Sequence, residues 1–139
     1  VNDFNQQIIE DFRAHQGRVG GPFEGAPMVL LHHTGRRSGV ERITPLVYLP
    51  DEEHPGSIFV FASKGGAPQN PDWYANLVAA GTTTVEVGTE TYQVRVEEVS
   101  GEERDRIYAA QVERMPGFGE YAEKTAGIRI IPVLRLSRV

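Results

Sequence analysis

Met28-Val-Leu-Leu-His32, Thr34-Gly-Arg-Arg-Ser-Gly39 and Ile43-Thr-Pro-Leu-Val-Tyr-Leu49 read in succession as a strand, a tight turn and a second strand. The flanking runs are apolar and β-branched, and Gly35 and Gly39 permit the backbone a turn demands. Outward from this unit the same signals recur at Ile58–Ala62, Thr82–Val87, Thr91–Val96 and Pro132–Leu136, separated by Gly, Pro or acidic turns. Val87-Gly-Thr-Glu-Thr91 is a short hairpin link. Short connections predict an antiparallel set in a meander or small barrel, and Pro132 at the start of the last strand suits a strand start or an edge.

Helices fill the remaining stretches. Phe4, Ile8, Ile9 and Phe12 share one helical side, ended by Gly17, Gly20 and Gly21. This N-terminal helix, residues 1–16, either docks on the core or serves as a lid or membrane foot; Asp3, Glu10 and Asp11 on its polar side weaken the membrane reading. Asn70 is placed to cap a helix with Pro71 in its first position and Gly81 at its end, putting Trp73, Asn76, Leu77 and Ala80 on one face. Gly101–Met115 is a further helix, broken by Pro116-Gly117, with a shorter one over Phe118–Thr125. The fold class is α+β, mainly β, in one domain over residues 1–139.

The chain has 139 residues, enough to bury a core unaided, and a formal net charge of −5, which argues against general nucleic-acid binding. Zero cysteines exclude disulfides, thiolate catalysis and cysteine-bound metals, consistent with a cytoplasmic setting. No apolar run reaches membrane-span length and no leader pattern is present, although a start at Val1 rather than Met leaves room for a removed one.

Against this acidic background, positive charge and glycine concentrate in two places. Arg36, Arg37 and Arg42 fall within seven residues, interleaved with Gly35, Ser38 and Gly39. Guanidinium forks and turn amides suit a phosphate or carboxylate; a solvated hairpin turn is the bland alternative. Lys64 stands where Ile58–Ala62 runs into Gly65-Gly66, just before the positive end of the helix beginning near Asn70. Edge protection is the alternative there. Together they read as two walls of one anion site. Trp73 and Tyr74 offer flat rings for stacking, or a core tryptophan.

Other motifs carry less. His32 and His33 are strand neighbours that point to opposite faces and cannot easily share a metal. Gly117-Phe-Gly-Glu-Tyr-Ala122 matches a dinucleotide fingerprint only formally, since no strand precedes it. There is no P-loop and no G-x-S-x-G elbow, so any redox chemistry belongs to a cofactor. Phe118, Tyr121 and Thr125, about a turn apart, either pack in the core or line a pocket in which a tyrosine hydroxyl meets developing negative charge.

Taken together, Thr34–Gly39, Arg42, Thr44-Pro-Leu46, Ser63-Lys-Gly-Gly-Ala-Pro68, Pro71-Asp-Trp-Tyr-Ala-Asn76 and Tyr121…Lys-Thr125…Ile131-Pro-Val133 resemble the deazaflavin (F420)-dependent nitroreductase and quinone reductase family of actinobacteria, over roughly residues 26–137. The resemblance implies a split β-barrel, like that of flavin reductases and FMN-binding proteins, with coenzyme F420 in a groove. It assigns tail and phosphate contacts to Arg36, Arg37, Ser38 and Arg42. Pro45, Leu46 and Val47 are implied to run along the deazaflavin, opposite Ala62, Ser63, Lys64 and Gly65, with Trp73 and Asn76 in support. Tyr121 matches a pocket tyrosine, and it or a bound water is the implied proton donor, whereas Phe118 stands where relatives often carry tyrosine. Ala126-Gly-Ile-Arg-Ile130 looks inserted and shifts the pocket wall. The implied reaction is hydride transfer from reduced F420 to a quinone, nitroaromatic or activated enone. FMN on the same barrel and a non-catalytic cofactor-binding protein are the alternatives. A homodimer and peripheral contact with the inner face of the membrane, for a lipid-soluble acceptor such as menaquinone, are compatible with it.

Overall fold

The computed structural model describes residues 3–139; Val1, on which the expectation of a removed leader rests, lies outside them. One antiparallel sheet of seven strands dominates: β1 (Met28–Thr34), β2 (Glu41–Val47), β3 (Leu49–Pro50), β4 (Ser57–Phe61), β5 (Thr82–Val87), β6 (Glu90–Val99) and β7 (Val133–Arg138). Their lateral order is β2-β1-β5-β6-β7-β4-β3. The two outermost strands, β2 and β3, are separated in the chain by Tyr48 alone. A sheet whose opposite edges are one residue apart must curl on itself, which makes a barrel. The barrel is split, because β2 and β3 continue one another and do not pair.

Three expectations change. The second strand does not run unbroken to Leu49; the amide of Tyr48 bonds to the carbonyl of Pro27 at 3.0 Å, and this break sends Leu49-Pro50 to the far edge against Ile58 and Phe59. The order is not a meander, since β7 lies between β6 and β4. Of the two readings of Pro132 the edge fails, because β7 is central, and the strand start holds; its carbonyl accepts from Ala62 N at 3.0 Å.

Four helices clothe the barrel: α1 (Asp3–Ala14), α2 (Asp72–Ala80), α3 (Gly101–Arg114) and α4 (Gly117–Thr125). Side chains alternate along β1. Val29 and Leu31 face the barrel interior with Val60, Val85, Val94, Leu134 and Leu136, while Met28 and Leu30 face α1. The apolar side of α1, Ile8, Ile9 and Phe12, is buried on Met28 and Leu30, worth about 5–8 kcal/mol at roughly 1.5–3 kcal/mol per side chain. Docking on the core thus accounts for three of the four apolar residues of that side, and Phe4 stays half exposed. Gly17 ends the helix with φ +91, and a β-carbon there would lie 2.7 Å from the α-carbon of Gly88, so only glycine lets the chain pass the β5–β6 hairpin. α2 carries Trp73 and Leu77 into the interior cluster and ends at Gly81 with φ 77. Its cap is Pro71 and not Asn70. α3 and α4 cover the outer face of β4 and β7 through Phe59, Phe61, Ile107, Tyr108, Phe118 and Val133.

Candidate functional site

β4 runs antiparallel to β3, and β3 continues β2, so the chain leaving β4 at Ala62 returns along the open seam toward Arg42. Topology thus brings the arginine turn and the lysine turn to the same end of the split. β2 is an outermost strand in the order, so the backbone edge of Pro45, Leu46 and Val47 away from β1 pairs with no strand. Leu46 packs toward the interior and Val47 toward α1.

The arginine turn is shaped by its own backbone. Gly39 N bonds to Gly35 O and Gly35 N to Val40 O, both at 2.9 Å, with Gly39 at φ 72. The Ser38 hydroxyl oxygen accepts from Val40 N at 3.2 Å, so Ser38 shapes the turn. Arg37 and Arg42 are exposed and have no protein partner among the described residues. Arg36 is fastened: its backbone N and its Nη1 both donate to Asn76 Oδ1, at 3.1 and 2.9 Å.

That double donation determines the rest of a chain of bonds. Arginine only donates, so Asn76 must present its oxygen there and turn its Nδ2 to His33 Nδ1, 3.1 Å away. His33 Nδ1 then accepts, its proton sits on Nε2, and Nε2 donates to Thr44 Oγ1 at 2.9 Å. Burial, reinforced by the positive charge of Arg42, holds the His33 pKa below its ordinary value, in agreement with a neutral ring. The Thr44 hydroxyl keeps its own proton to donate. His32 points to the opposite face, where it meets Glu86 Oε2 at 2.7 Å beside Arg13 of α1. Among the described residues no group of three or more His, Asp or Glu could hold a metal.

The lysine turn has unusual backbone. Lys64, Gly65 and Gly66 all have positive φ, at 48, 63 and 85. Gly66 N bonds to Ser63 O and Ala67 N to Lys64 O, leaving the Lys64 and Gly65 amides without a protein acceptor among the described residues. Neighbouring free amides beside a lysine have the donor chemistry that suits an anion. A β-carbon on Gly66 would meet Lys124 Cδ at 2.9 Å and the α-carbon of Tyr121 at 3.3 Å, so the turn lies directly on α4. Ala62 and Ser63 contribute their carbonyls to Arg129, at 3.0 and 2.9 Å, and so belong to the support of the turn.

Of the aromatic candidates, Trp73 is core and Tyr74 donates its hydroxyl to Glu98 at 2.7 Å, its pKa raised to about 12 by burial and that carboxylate. Phe118 is buried edge-on to Phe61 and Tyr121, with ring centroids 5.7 and 5.2 Å apart. Thr125 is buried and returns its hydroxyl to Tyr121 O at 3.0 Å. Both pack and do not line an open pocket, as phenylalanine and a back-bonded threonine do in any helix face turned inward. Tyr121 alone of the three is partly open to solvent, beside the lysine turn. Sequence reasoning missed His33 as a bonded link and Arg129 altogether; the only signal for Arg129 was a charged residue between two isoleucines.

The fold is of the split antiparallel β-barrel class, here with exposed cations in the β1–β2 turn and in the turn after β4. Proteins with the same fold at low identity include the heme storage protein HutZ of Vibrio cholerae (15% identical, TM-score 0.58, covering 97% of this chain and 90% of that one). The chain belongs to the F420H(2)-dependent quinone reductase family, whose model matches residues 5–137. An F420H(2)-dependent quinone reductase of Mycobacterium tuberculosis is 33% identical over 129 residues, covering 91% of this chain and 85% of the relative. A solved F420-H2 dependent reductase (FDR-A) is 37% identical with a TM-score of 0.69, covering 80% of this chain and 94% of that one. A second solved structure, a domain-swapped dimer, is 32% identical with a TM-score of 0.71 and covers 97% and 96%. The family relies on reduced F420 as its hydride donor.

Proposed function

We propose that the protein binds F420 in the seam between β2 and the lysine turn and reduces a quinone there. The observation that carries this reading is the pair of free guanidiniums, Arg37 and Arg42, beside an Arg36 fastened by a neutral amide, at the same end of the seam as Lys64. An anionic cofactor tail needs several fixed or free cations, whereas the single phosphate of FMN needs fewer. Arg36, Arg37 and Arg42 take the tail, Lys64 and the free amides of its turn take the other wall, and the β2 edge at Pro45–Val47 lies along the flat ring. When bound, reduced F420 supplies a hydride. The half-buried β2 edge at Pro45–Val47 would orient the acceptor against that ring. Tyr121 would donate a proton to the acceptor oxygen and recover it from solvent, so that the hydride (two electrons and one proton) and this second proton together convert quinone to hydroquinone.

Quinones are the substrate class we assign first; nitroaromatics and activated enones share the electrophilic, flat character the seam would accept. The protein is read as cytoplasmic, and two copies are read as associating. No helix among the described residues is long and apolar enough to cross a membrane. Titration with oxidised F420, followed by its fluorescence with FMN as competitor, tests the reading. Binding of F420 in preference to FMN, followed by turnover of a quinone panel, is the expected result; preference for FMN, or binding of neither, overturns it.

A further inference from the structure

Half of the twelve arginines in this protein, six of them, are matched by carboxylates. Arg13 meets Glu86, Arg138 meets Glu90, and Arg135 meets Asp51, Glu97 and Glu103. Arg129 is bonded as fully and meets none. Its Nε donates to Ala67 O at 3.0 Å, Nη1 to Ala62 O at 3.0 Å and to Asn70 Oδ1 at 2.7 Å, and Nη2 to Ser63 O at 2.9 Å. Four of its five donors are therefore taken by neutral acceptors that bracket Lys64 and Gly65 on both sides. Burial lowers its pKa, and no carboxylate opposes the shift.

The segment around it has an inverted pattern. Ile128 and Ile130 are 60% and 78% exposed while the arginine between them turns inward. Burial of apolar surface cannot be what selects such a conformation. The left-handed Lys64-Gly65-Gly66 backbone, disfavoured for the lysine, likewise needs something outside it to hold it.

We propose that Arg129 is the positioning residue of the lysine turn and the fixed positive charge behind that wall of the seam. The proposal rests on the F420 reading for its ligand, but not for its geometry. Arg129 acts through the turn: with its forks committed to carbonyls, it sets where Lys64 and the free amides point, and its unneutralised charge adds to the potential an anion meets there. Lysine cannot replace it, because one ammonium cannot reach carbonyls on Ala62, Ser63 and Ala67 at once.

The test compares Arg129→Lys and Arg129→Gln with the wild-type protein in two measurements. Amide hydrogen exchange without cofactor reads the turn directly at Gly66 N and Ala67 N; both variants should exchange faster there while the barrel strands keep their protection. F420 titration across a salt series reads the ligand side. Both variants should bind at least about tenfold more weakly, as expected for loss of charge-assisted bonds, and only Arg129→Gln should flatten the salt dependence. Unchanged exchange at the turn in Arg129→Gln, or full affinity in Arg129→Lys, overturns the positioning role. If Arg129→Gln fails to fold, Arg129→Lys decides alone. If the wild-type protein binds no F420, the cofactor reading fails while the exchange measurement still decides the role of Arg129.

Discussion

Replacing Asn76 with alanine removes the centre of the Arg36–Asn76–His33–Thr44 chain, and its cost can be worked from the bonds. His33 Nδ1 loses its only donor at a site 6% exposed, where an unmet acceptor costs about 1–3 kcal/mol. Arg36 is exposed and recovers water, so its two lost bonds cost roughly 0.5–1 kcal/mol net. Asn76→Ala should therefore lower stability by about 1.5–4 kcal/mol. With a urea m-value of roughly 2 kcal/mol per molar, the midpoint falls by about 1 M or more.

The pH dependence gives a sharper signature. In the wild-type protein His33 is held neutral, its pKa below 6.5 because of burial and Arg42. The unfolded chain accepts that proton more readily, so the contribution to stability is full above about 6.5 and is lost as pH falls through the folded pKa. Asn76→Asp inverts this. A carboxylate still accepts from Arg36 but now requires a proton on His33 Nδ1, which favours the imidazolium and raises the pKa. The contribution is then present below about 6.5 and is lost as pH rises through the folded value. Urea titrations at several pH values, with the imidazole nitrogens observed by NMR, measure both. A wild-type His33 protonated on Nδ1, or an Asn76→Ala protein within 0.5 kcal/mol of wild type by order of magnitude, would refute the bond chain.

Arg37→Ala and Arg42→Ala should leave the melting temperature almost unchanged, since both side chains are exposed and unpartnered, while F420 affinity falls and loses salt sensitivity. Tyr121→Phe should keep F420 affinity and lower kcat for quinones, with the ratio to wild type narrowing at low pH where solvent donates the proton more readily. Gly66→Ala meets both a left-handed φ of 85 and Lys124 at 2.9 Å, so it should cost about 1–3 kcal/mol and loosen the turn from α4, seen as faster exchange at Ala67. Arg135→Met removes the guanidinium from Asp51, whose side chain is 4% exposed, and leaves it His54 and the amides of Glu53 and His54, so it should cost about 1–3 kcal/mol in urea unfolding without changing F420 affinity.

Local features were legible in the sequence and distant ones were not. β5 was read with the bounds the structure shows, and Gly81 ended α2 as expected, because both depend on neighbouring residues alone. The break at Tyr48 was hidden because Leu46, Val47 and Leu49 are apolar on both sides of it. The insertion of β7 between β6 and β4 has no local marker, since strand pairing is decided by residues far apart in the chain. The two cationic turns stood out as clusters of charge and glycine. The residues that hold them did not: Arg129 reaches carbonyls 62 to 67 positions away, and Asn76 reaches Arg36 across 40.

The anchors of the two walls share one chemical choice that accounts for how an acidic chain can keep a cationic seam. Arg36 is held by an amide, Arg129 by carbonyls and an amide, and no carboxylate touches either. A carboxylate would hold a guanidinium as firmly but would cancel the charge an anionic ligand must meet. Elsewhere, where no ligand is to be held, the same protein uses carboxylates freely, three of them on Arg135 alone. Neutral anchoring leaves the charges of Arg36 and Arg129 uncancelled, which the proposed F420 site requires. In that proposal the seam runs from the turn at Arg36 to the turn at Lys64, with Arg129 behind it.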